Sequence, residues 1–105
     1  MPDEMLDAVA AKFRALSQAP RLRLLESLFE GPLTVNELAE KTALGQANTS
    51  KHLAVLAQAG FVTRRRKGTQ VVYELADEMP KQLCSLLCGR VMSEVEEDLR
   101  RIRGG

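Results

Sequence analysis

The sequence predicts a mainly α-helical fold with one β-hairpin, an α+β domain of five helices and two strands. Three observations lead to this fold class. Apolar residues recur at spacings of three and four over most of the chain, which is typical of amphipathic helices. A segment of alternating polar and apolar residues at about 61–75 instead indicates a hairpin. A chain of 105 residues, 45% hydrophobic and 28% charged, suits a single globular domain over residues 1–105.

The first two helices are predicted at about 3–18 and 20–30. Apolar side chains on both segments repeat with helical spacing. Pro20 suits the first position of a helix, because the N–H group that proline lacks would have no partner there. Gly31 and Pro32 then end the second helix.

Two further helices joined by a tight turn are predicted over about 34–59. Thr34 and Glu37 have the spacing of a capping box at the start of the first. Gly45 allows the backbone to bend between the two. The second helix is predicted to bury Ala47 together with its leucines and to expose the polar residues of its first two turns. Those polar residues are Gln46, Asn48, Thr49, Ser50, Lys51 and His52.

The hairpin at about 61–75 is predicted to turn at residues 67–69. The whole chain has a formal charge of only +1, but four consecutive cations, Arg64 to Lys67, lie on this hairpin. A local cation cluster on a near-neutral protein indicates one surface that faces a polyanion. Alternation along the strand directs Arg65 opposite to its two neighbours.

The last helix is predicted at about 80–102 and carries a long apolar stripe, from Leu83 to Ile102. Such a stripe on a terminal helix of a small domain needs a partner to cover it. The simplest partner is a second copy of the chain, and we therefore expect a homodimer that pairs through the first and last helices.

The order helix, turn, helix, basic hairpin is that of a winged helix-turn-helix, and it predicts binding to double-stranded DNA. The N-terminal end of the second helix would enter the major groove. We predict base contacts from Gln46, Asn48 and Thr49, and phosphate or mixed contacts from Ser50, Lys51 and His52. Wing contacts to the flanking backbone or minor groove are predicted for Arg64, Arg66 and Lys67.

Other function classes fit the sequence less well. With one histidine, no glycine-rich phosphate loop and no Ser/His/Asp arrangement, the chain is not expected to be an enzyme. A winged-helix module for protein interaction remains an alternative, although it would tend to carry an apolar patch in place of the cations. No apolar run approaches the roughly 20 residues that span a membrane. The acidic N-terminus lacks a signal-peptide pattern, so a cytoplasmic location is expected.

Across nearly its whole length the chain resembles the ArsR/SmtB family of bacterial winged-helix repressors. The resemblance implies a homodimer on an inverted-repeat operator, and repression that ends when an effector binds or reacts. Four segments carry the resemblance: LSQAPRLRLL at 16–25, LTVNELA at 33–39, NTSKHLAVL at 48–56, and GFVTRRRKG at 60–68 followed by Val72 and Tyr73.

The chain departs from the sensor sites of that family. Metalloid sensors often have a Cys-x-Cys where this sequence has residues 34–36, Thr-Val-Asn. The zinc-type site of the last helix is also incomplete, because Met79 and Arg90 stand where histidines would fall, although Asp77 is retained.

Cys84 and Cys88 remain as candidate sensor residues. Four residues apart on a helix, their sulfur atoms would share one face. They could bind a soft metal ion or a trivalent metalloid, with a second pair from a symmetric copy, or react with oxidants or sulfur species. Alternatively, both could be small apolar residues packed in the dimer interface. No other cofactor is predicted.

Overall fold

The computed structural model describes residues 1–104 and contains five helices and three strands. The chain forms α1 (Asp3–Leu16), α2 (Ala19–Ser27), β1 (Leu33–Thr34), α3 (Val35–Thr42), α4 (Gln46–Gln58), β2 (Val62–Lys67), β3 (Gln70–Leu75) and α5 (Met79–Gly104). The predicted order of five helices and a wing is confirmed.

The first two helices end earlier than predicted. α1 stops at Leu16, where the hydroxyl of Ser17 donates to the carbonyl oxygen of Arg14 at 2.7 Å. α2 stops at Ser27 because the following backbone N–H groups bond three residues back, not four, which tightens the chain into turns before Pro32. These turns redirect the chain toward the sheet.

α3 begins with the capping box that the sequence predicts. The N–H of Glu37 donates to the Thr34 hydroxyl at 3.1 Å, and the Glu37 carboxylate accepts from the Thr34 N–H at 2.9 Å. The hydrogen bond from the Thr34 N–H to the Glu37 carboxylate, and after it the interaction of that carboxylate with the Thr34 hydroxyl, lower the pKa of Glu37. The turn after α3 contains two left-handed residues, Ala43 with φ +58° and Gly45 with φ +78°.

The wing belongs to a three-stranded antiparallel sheet of order β1-β3-β2, so the prediction of only two strands was incomplete. Leu33 of β1 lies opposite Tyr73 of β3. Two residues are too few to show alternation in a sequence, and β1 leads directly into the N-cap of α3. The short strand thereby anchors the base of the wing to the helix-turn-helix.

One hydrophobic core joins α2, α3, α4 and the base of the wing. α5 joins it only through its first turns, where Pro80 is buried and Leu83 and Cys84 are half-buried. α1 contributes mainly Ala15 and the half-buried Leu16. The fully buried large side chains include Leu24, Leu25, Leu38, Leu53, Leu56 and Phe61.

The outer faces of α1 and α5 are apolar and uncovered. Every residue from 85 to 104 is exposed, although Leu87, Val95 and Leu99 continue the helical stripe. On α1, Phe13 is 61% exposed. Across the part of the chain that the structure describes, no helix is both long and apolar enough to cross a membrane.

Candidate nucleic-acid interface

The N-terminal end of α4 carries a group of exposed polar side chains. The helix starts at Gln46, directly after the left-handed Gly45. Gln46, Asn48, Ser50 and Lys51 are exposed, as the sequence predicts. They supply two amides, a hydroxyl and an ammonium group within the first two helical turns, the kinds of group that hydrogen-bond to base edges and phosphates.

Thr49 is not part of that exposed group, so the prediction that it faces solvent was wrong. Its side chain is fully buried and its hydroxyl donates to the carbonyl oxygen of Gly45 at 2.7 Å. Ala47, which was predicted to be buried, is exposed instead. The helical period accounts for both, because Thr49 lies four residues before Leu53 and seven before Leu56, on the face that packs into the core.

Gln46 is held by the preceding helix. Its Nε2 donates to Oδ1 of Asn36 in α3 at 2.9 Å. This contact joins the exposed ends of the two helices across the turn. It leaves the Gln46 carbonyl oxygen as an acceptor for other groups.

His52 is half-buried and turned toward α2. Its Nδ1 accepts a hydrogen bond from Nε of Arg21 at 3.2 Å, which places the ring proton of the neutral imidazole on Nε2. No pattern in the sequence predicts a role for Arg21. The two residues are 31 positions apart on different helices, and no spacing rule relates them.

The wing presents its cations on two faces. In the β2–β3 register, Arg64 lies opposite Tyr73 and Arg66 opposite Val71. Arg65 belongs to the other face, where its Nε lies 3.7 Å from a carboxylate oxygen of Glu74. All four cations of residues 64–67 are exposed. Arg64 and Arg66 therefore share one face, as alternation predicts, while Lys67 is next to the turn on the face of Arg65.

Cys84 and Cys88 lie one turn apart on α5. Cys84 is half-buried against the core, whereas Cys88 is exposed. Burial first, and then the charges of Cys88 and Glu26, raise the pKa of Cys84. Within residues 1–104 no group of three or more histidine, cysteine, aspartate or glutamate side chains is placed to hold a metal ion.

Asp77, Met79 and Arg90, the positions compared with the family's zinc-type site, do not form a cluster of metal ligands. Asp77 accepts a hydrogen bond from the N–H of Met79 at 3.0 Å, so it acts at the start of α5. Met79 and Arg90 are both exposed. The Asp77 carboxylate thus accepts from the backbone at the start of α5.

Comparison with known proteins agrees with this geometry. A family model described as bacterial regulatory protein, arsR family, matches residues 20–64. The chain is 40% identical over 83 residues to the HTH-type transcriptional regulator KmtR of Mycobacterium tuberculosis, covering 79% of this chain but only 64% of that protein's length. It is 34% identical over 85 residues to the biofilm growth-associated repressor of Xylella fastidiosa, covering 81% of this chain and 75% of the relative.

A solved structure has the same fold. It is the homodimeric winged helix-turn-helix DNA-binding domain of Mb0332 from Mycobacterium bovis, described as a possible ArsR-family transcriptional regulator. The similarity has a TM-score of 0.77 at 31% identity, and covers 90% of this chain and 88% of that one.

Proposed function

Because the chain belongs to the ArsR family of bacterial regulatory proteins, we propose that it is a transcriptional repressor that binds an inverted-repeat operator in double-stranded DNA as a homodimer. The observation that carries the proposal is the start of α4, where four polar side chains are exposed on a helix of the helix-turn-helix. Exposed arginines on the wing that follows add the positive charge that phosphate binding needs.

The exposed residues divide by the contacts that their chemistry favours. Gln46 and Asn48 have amides that can pair with adenine, and the exposed methyl group of Ala47 suits the methyl group of thymine. The residues suited to phosphate contacts are Ser50, Lys51, the half-buried His52 through its Nε2–H, and the wing cations Arg64, Arg66 and Lys67.

The uncovered apolar faces of α1 and α5 support the homodimer. A helix of 26 residues with an unpaired apolar stripe is costly to leave in water, because each buried methylene contributes about 0.8 kcal/mol. A second copy covers both faces at once and places two α4 helices on one side of the dimer for two half-sites. The large exposed apolar residues are Met5, Leu6, Val9 and Phe13 on α1, and Met79, Leu86, Leu87, Val91, Met92, Val95, Leu99 and Ile102 on α5.

Selection from a pool of random duplexes, followed by fluorescence anisotropy, tests DNA binding. We expect the enriched sequences to be inverted repeats. Lys51→Ala and Arg66→Ala should each weaken binding and lower the slope of log K against log salt by about one unit. Lys81→Ala, which removes the same charge at the exposed start of α5, is the matched control. Unchanged affinity and slope in both test variants would contradict the proposed docking.

We further propose that Cys84 and Cys88 form the effector site, and that they bind a soft metal ion or a trivalent metalloid as thiolates. One protomer has two thiols to offer, and the dimer would bring in a second pair. The raised pKa of Cys84 disfavours a free thiolate, whereas a bound ion would displace the thiol protons. Binding at the interface helix would then shift the dimer toward a state with wrongly spaced α4 helices.

Release of labelled operator tests this regulation. The reduced protein–DNA complex is titrated with Zn(II), Cd(II), As(III) or a persulfide donor, and the Cys84→Ser/Cys88→Ser variant is treated in parallel. We expect Cd(II) or As(III) to release wild-type protein but not the variant. If only the persulfide donor released the operator, the proposed metal binding would be wrong and the effector would be a reactive sulfur species. A complex that withstands all four would mean that the cysteines only pack.

A further inference from the structure

Arg21 makes contacts to two other helices from its position in α2. Its Nε donates to Nδ1 of His52 in α4 at 3.2 Å. Its Nη1 lies within hydrogen-bond distance of two carbonyl oxygens in the last turn of α1, at 3.4 Å from Arg14 and 3.3 Å from Ala15. The side chain of this half-buried residue therefore joins α1 to the proposed recognition helix.

The Arg21 guanidinium group has suitable acceptors at both α1 and His52. The last carbonyl groups of a helix have no partner within the helix and carry partial negative charge, so a guanidinium group there is stabilising. The fork of an arginine can reach acceptors in two directions at once, which a lysine ammonium cannot do with the same rigidity. At the other end the imidazole nitrogen of His52 can accept only while it is unprotonated.

A second cation joins the same pair of helices. The ammonium group of Lys12 in α1 donates to the carbonyl oxygen of Ala59, the C-cap of α4. Gly60 follows, and a Cβ atom built there would lie 3.3 Å from Lys12 Nζ. α1 thus contacts α4 at two places. Lys12 bonds to the C-terminal end of α4, and Arg21 links α1 to His52 near the middle of α4.

We propose that Arg21 is a positioning residue for DNA binding, which acts through His52 to fix the orientation of α4 relative to α1. The inference rests on the proposed function, because α1 is there part of the dimer interface. In a dimer, the direction of each α4 relative to its own α1 sets the distance between the two DNA-reading helices. Arg21 itself need not touch DNA, since its contacts lie within the protein.

The single histidine of the chain allows a direct test of the contact. Nitrogen NMR of labelled protein at pH 8.5 reports the two ring nitrogens of His52 directly, because the chain has no second histidine. We expect Nδ1 to have the shift of a hydrogen-bonded acceptor and to move when Arg21 is replaced by alanine. The same shift in wild type and Arg21→Ala would overturn the proposed contact.

A double-mutant cycle on DNA affinity tests the role. The probe is the duplex that the wild-type protein selects from a random pool. Arg21→Ala and His52→Ala should each weaken binding about tenfold. If Arg21 acts wholly through His52, this loss equals the coupling energy between them, and residues in contact couple by energies of about this size. The double variant should bind within about twofold of the weaker single variant, because Arg21 acts through His52. If the loss of affinity in the double variant equalled the product of the two single losses, Arg21 would act on DNA binding independently of His52.

Two controls separate positioning from loss of charge or of folding. Arg23→Ala removes the same charge from an exposed position of α2 and should leave affinity unchanged, whereas Arg21→Lys keeps the charge and should still weaken binding. Far-UV circular dichroism and the molar mass verify that each variant is folded and assembled as the wild type is.

A readout of half-site spacing distinguishes positioning from general destabilisation. The wild type should discriminate against a duplex with one inserted base pair between half-sites, and Arg21→Ala should discriminate less. Wild-type affinity and spacing preference in Arg21→Ala would overturn this inference alone. Failure of the wild type to bind any duplex would overturn the proposed function, and with it the positioning role.

Discussion

At the residue scale, polar residues two positions apart at the start of α4 have different roles. Thr49 bonds to the carbonyl oxygen of Gly45 inside the protein, whereas Lys51 extends into solvent. The buried Thr49 hydroxyl can hydrogen-bond to the protein backbone but cannot reach a DNA base. Residue type alone therefore does not identify the residues that could meet DNA.

The buried position of Thr49 gives a prediction that separates these tasks. Thr49→Val keeps the shape and removes the hydroxyl, while the N–H of residue 49 still donates to Gly45. We expect the free energy of unfolding to change by no more than about 1 kcal/mol, and operator affinity to stay at the wild-type value. Urea unfolding and anisotropy measure the two quantities. Affinity that falls while stability is retained would place the hydroxyl on DNA.

The thiol of Cys84 gives a pH-dependent prediction. Because the folded protein raises its pKa, chiefly by burial, the thiolate forms at higher pH than in an unfolded chain. In the Cys88→Ser variant, alkylation of Cys84 by iodoacetamide should therefore rise through a higher midpoint pH when the protein is folded than in urea. Equal midpoints in the two states would contradict the assigned burial.

The sequence contained the information to place Thr49 correctly but not to pair Arg21 with His52. Extending the helical phase of Leu53 and Leu56 backward reaches position 49, while Ala47 falls outside that phase. The polar character of threonine outweighed this phase in the prediction. The contact between Arg21 and His52 depends on how α2 and α4 pack, which local patterns do not contain.

At the scale of elements, the start of α3 was predictable because a capping box is a local structure. Thr34 and Glu37 are three residues apart and satisfy each other's backbone N–H groups, as their spacing predicts. The strand at Leu33–Thr34 was not predictable, since its partner is Tyr73 in the distant wing. The ends of α1 at Leu16 and of α2 at Ser27 differ from the predicted ends by two or three residues, because tight local turns end both helices.

The capping box predicts a pH-dependent contribution to stability. Thr34→Ala should lower the free energy of unfolding by about 1 kcal/mol near neutral pH, as loss of an N-cap does. The pKa of Glu37 is lowered in the folded state, so its contribution is present above the usual glutamate pKa and is lost as pH falls through the lowered value. Glu37→Gln, which has no carboxyl group to protonate, should lose less stability than the wild type between pH 7 and pH 2; parallel denaturation curves would contradict this.

At the scale of the whole molecule, α5 is the element with the least support inside one protomer. Its first turns pack against the core through Leu83 and Cys84, but from residue 85 onward its side chains are exposed and its apolar stripe has no cover within the protomer. The family and fold were predictable because helical periodicity, the turn and the basic hairpin are local patterns in one fixed order. In the proposed dimer the surface that covers α5 belongs to a second molecule, which patterns within one chain do not describe.

A charge in the middle of the stripe should separate the dimer without unfolding the protomer. Val95 is 52% exposed, so Val95→Glu leaves the core intact but would bury a carboxylate in the proposed interface. Sedimentation should give the mass of a dimer for the wild type and of a monomer for this variant. Ser93→Glu, which adds the same charge on a different side of α5, should remain dimeric. A wild type that sediments as a monomer would contradict the proposed assembly.

The most direct test of the central claim is a hydroxyl-radical footprint on the selected duplex. A homodimer that reads DNA through two α4 helices should protect two symmetry-related segments whose centres are about 10 base pairs apart, with additional flanking protection from the wings. Val95→Glu should lose this pattern at the concentration where the wild type saturates. A single protected segment, or a wild-type footprint that Val95→Glu reproduces, would contradict the account of a dimeric operator-binding repressor.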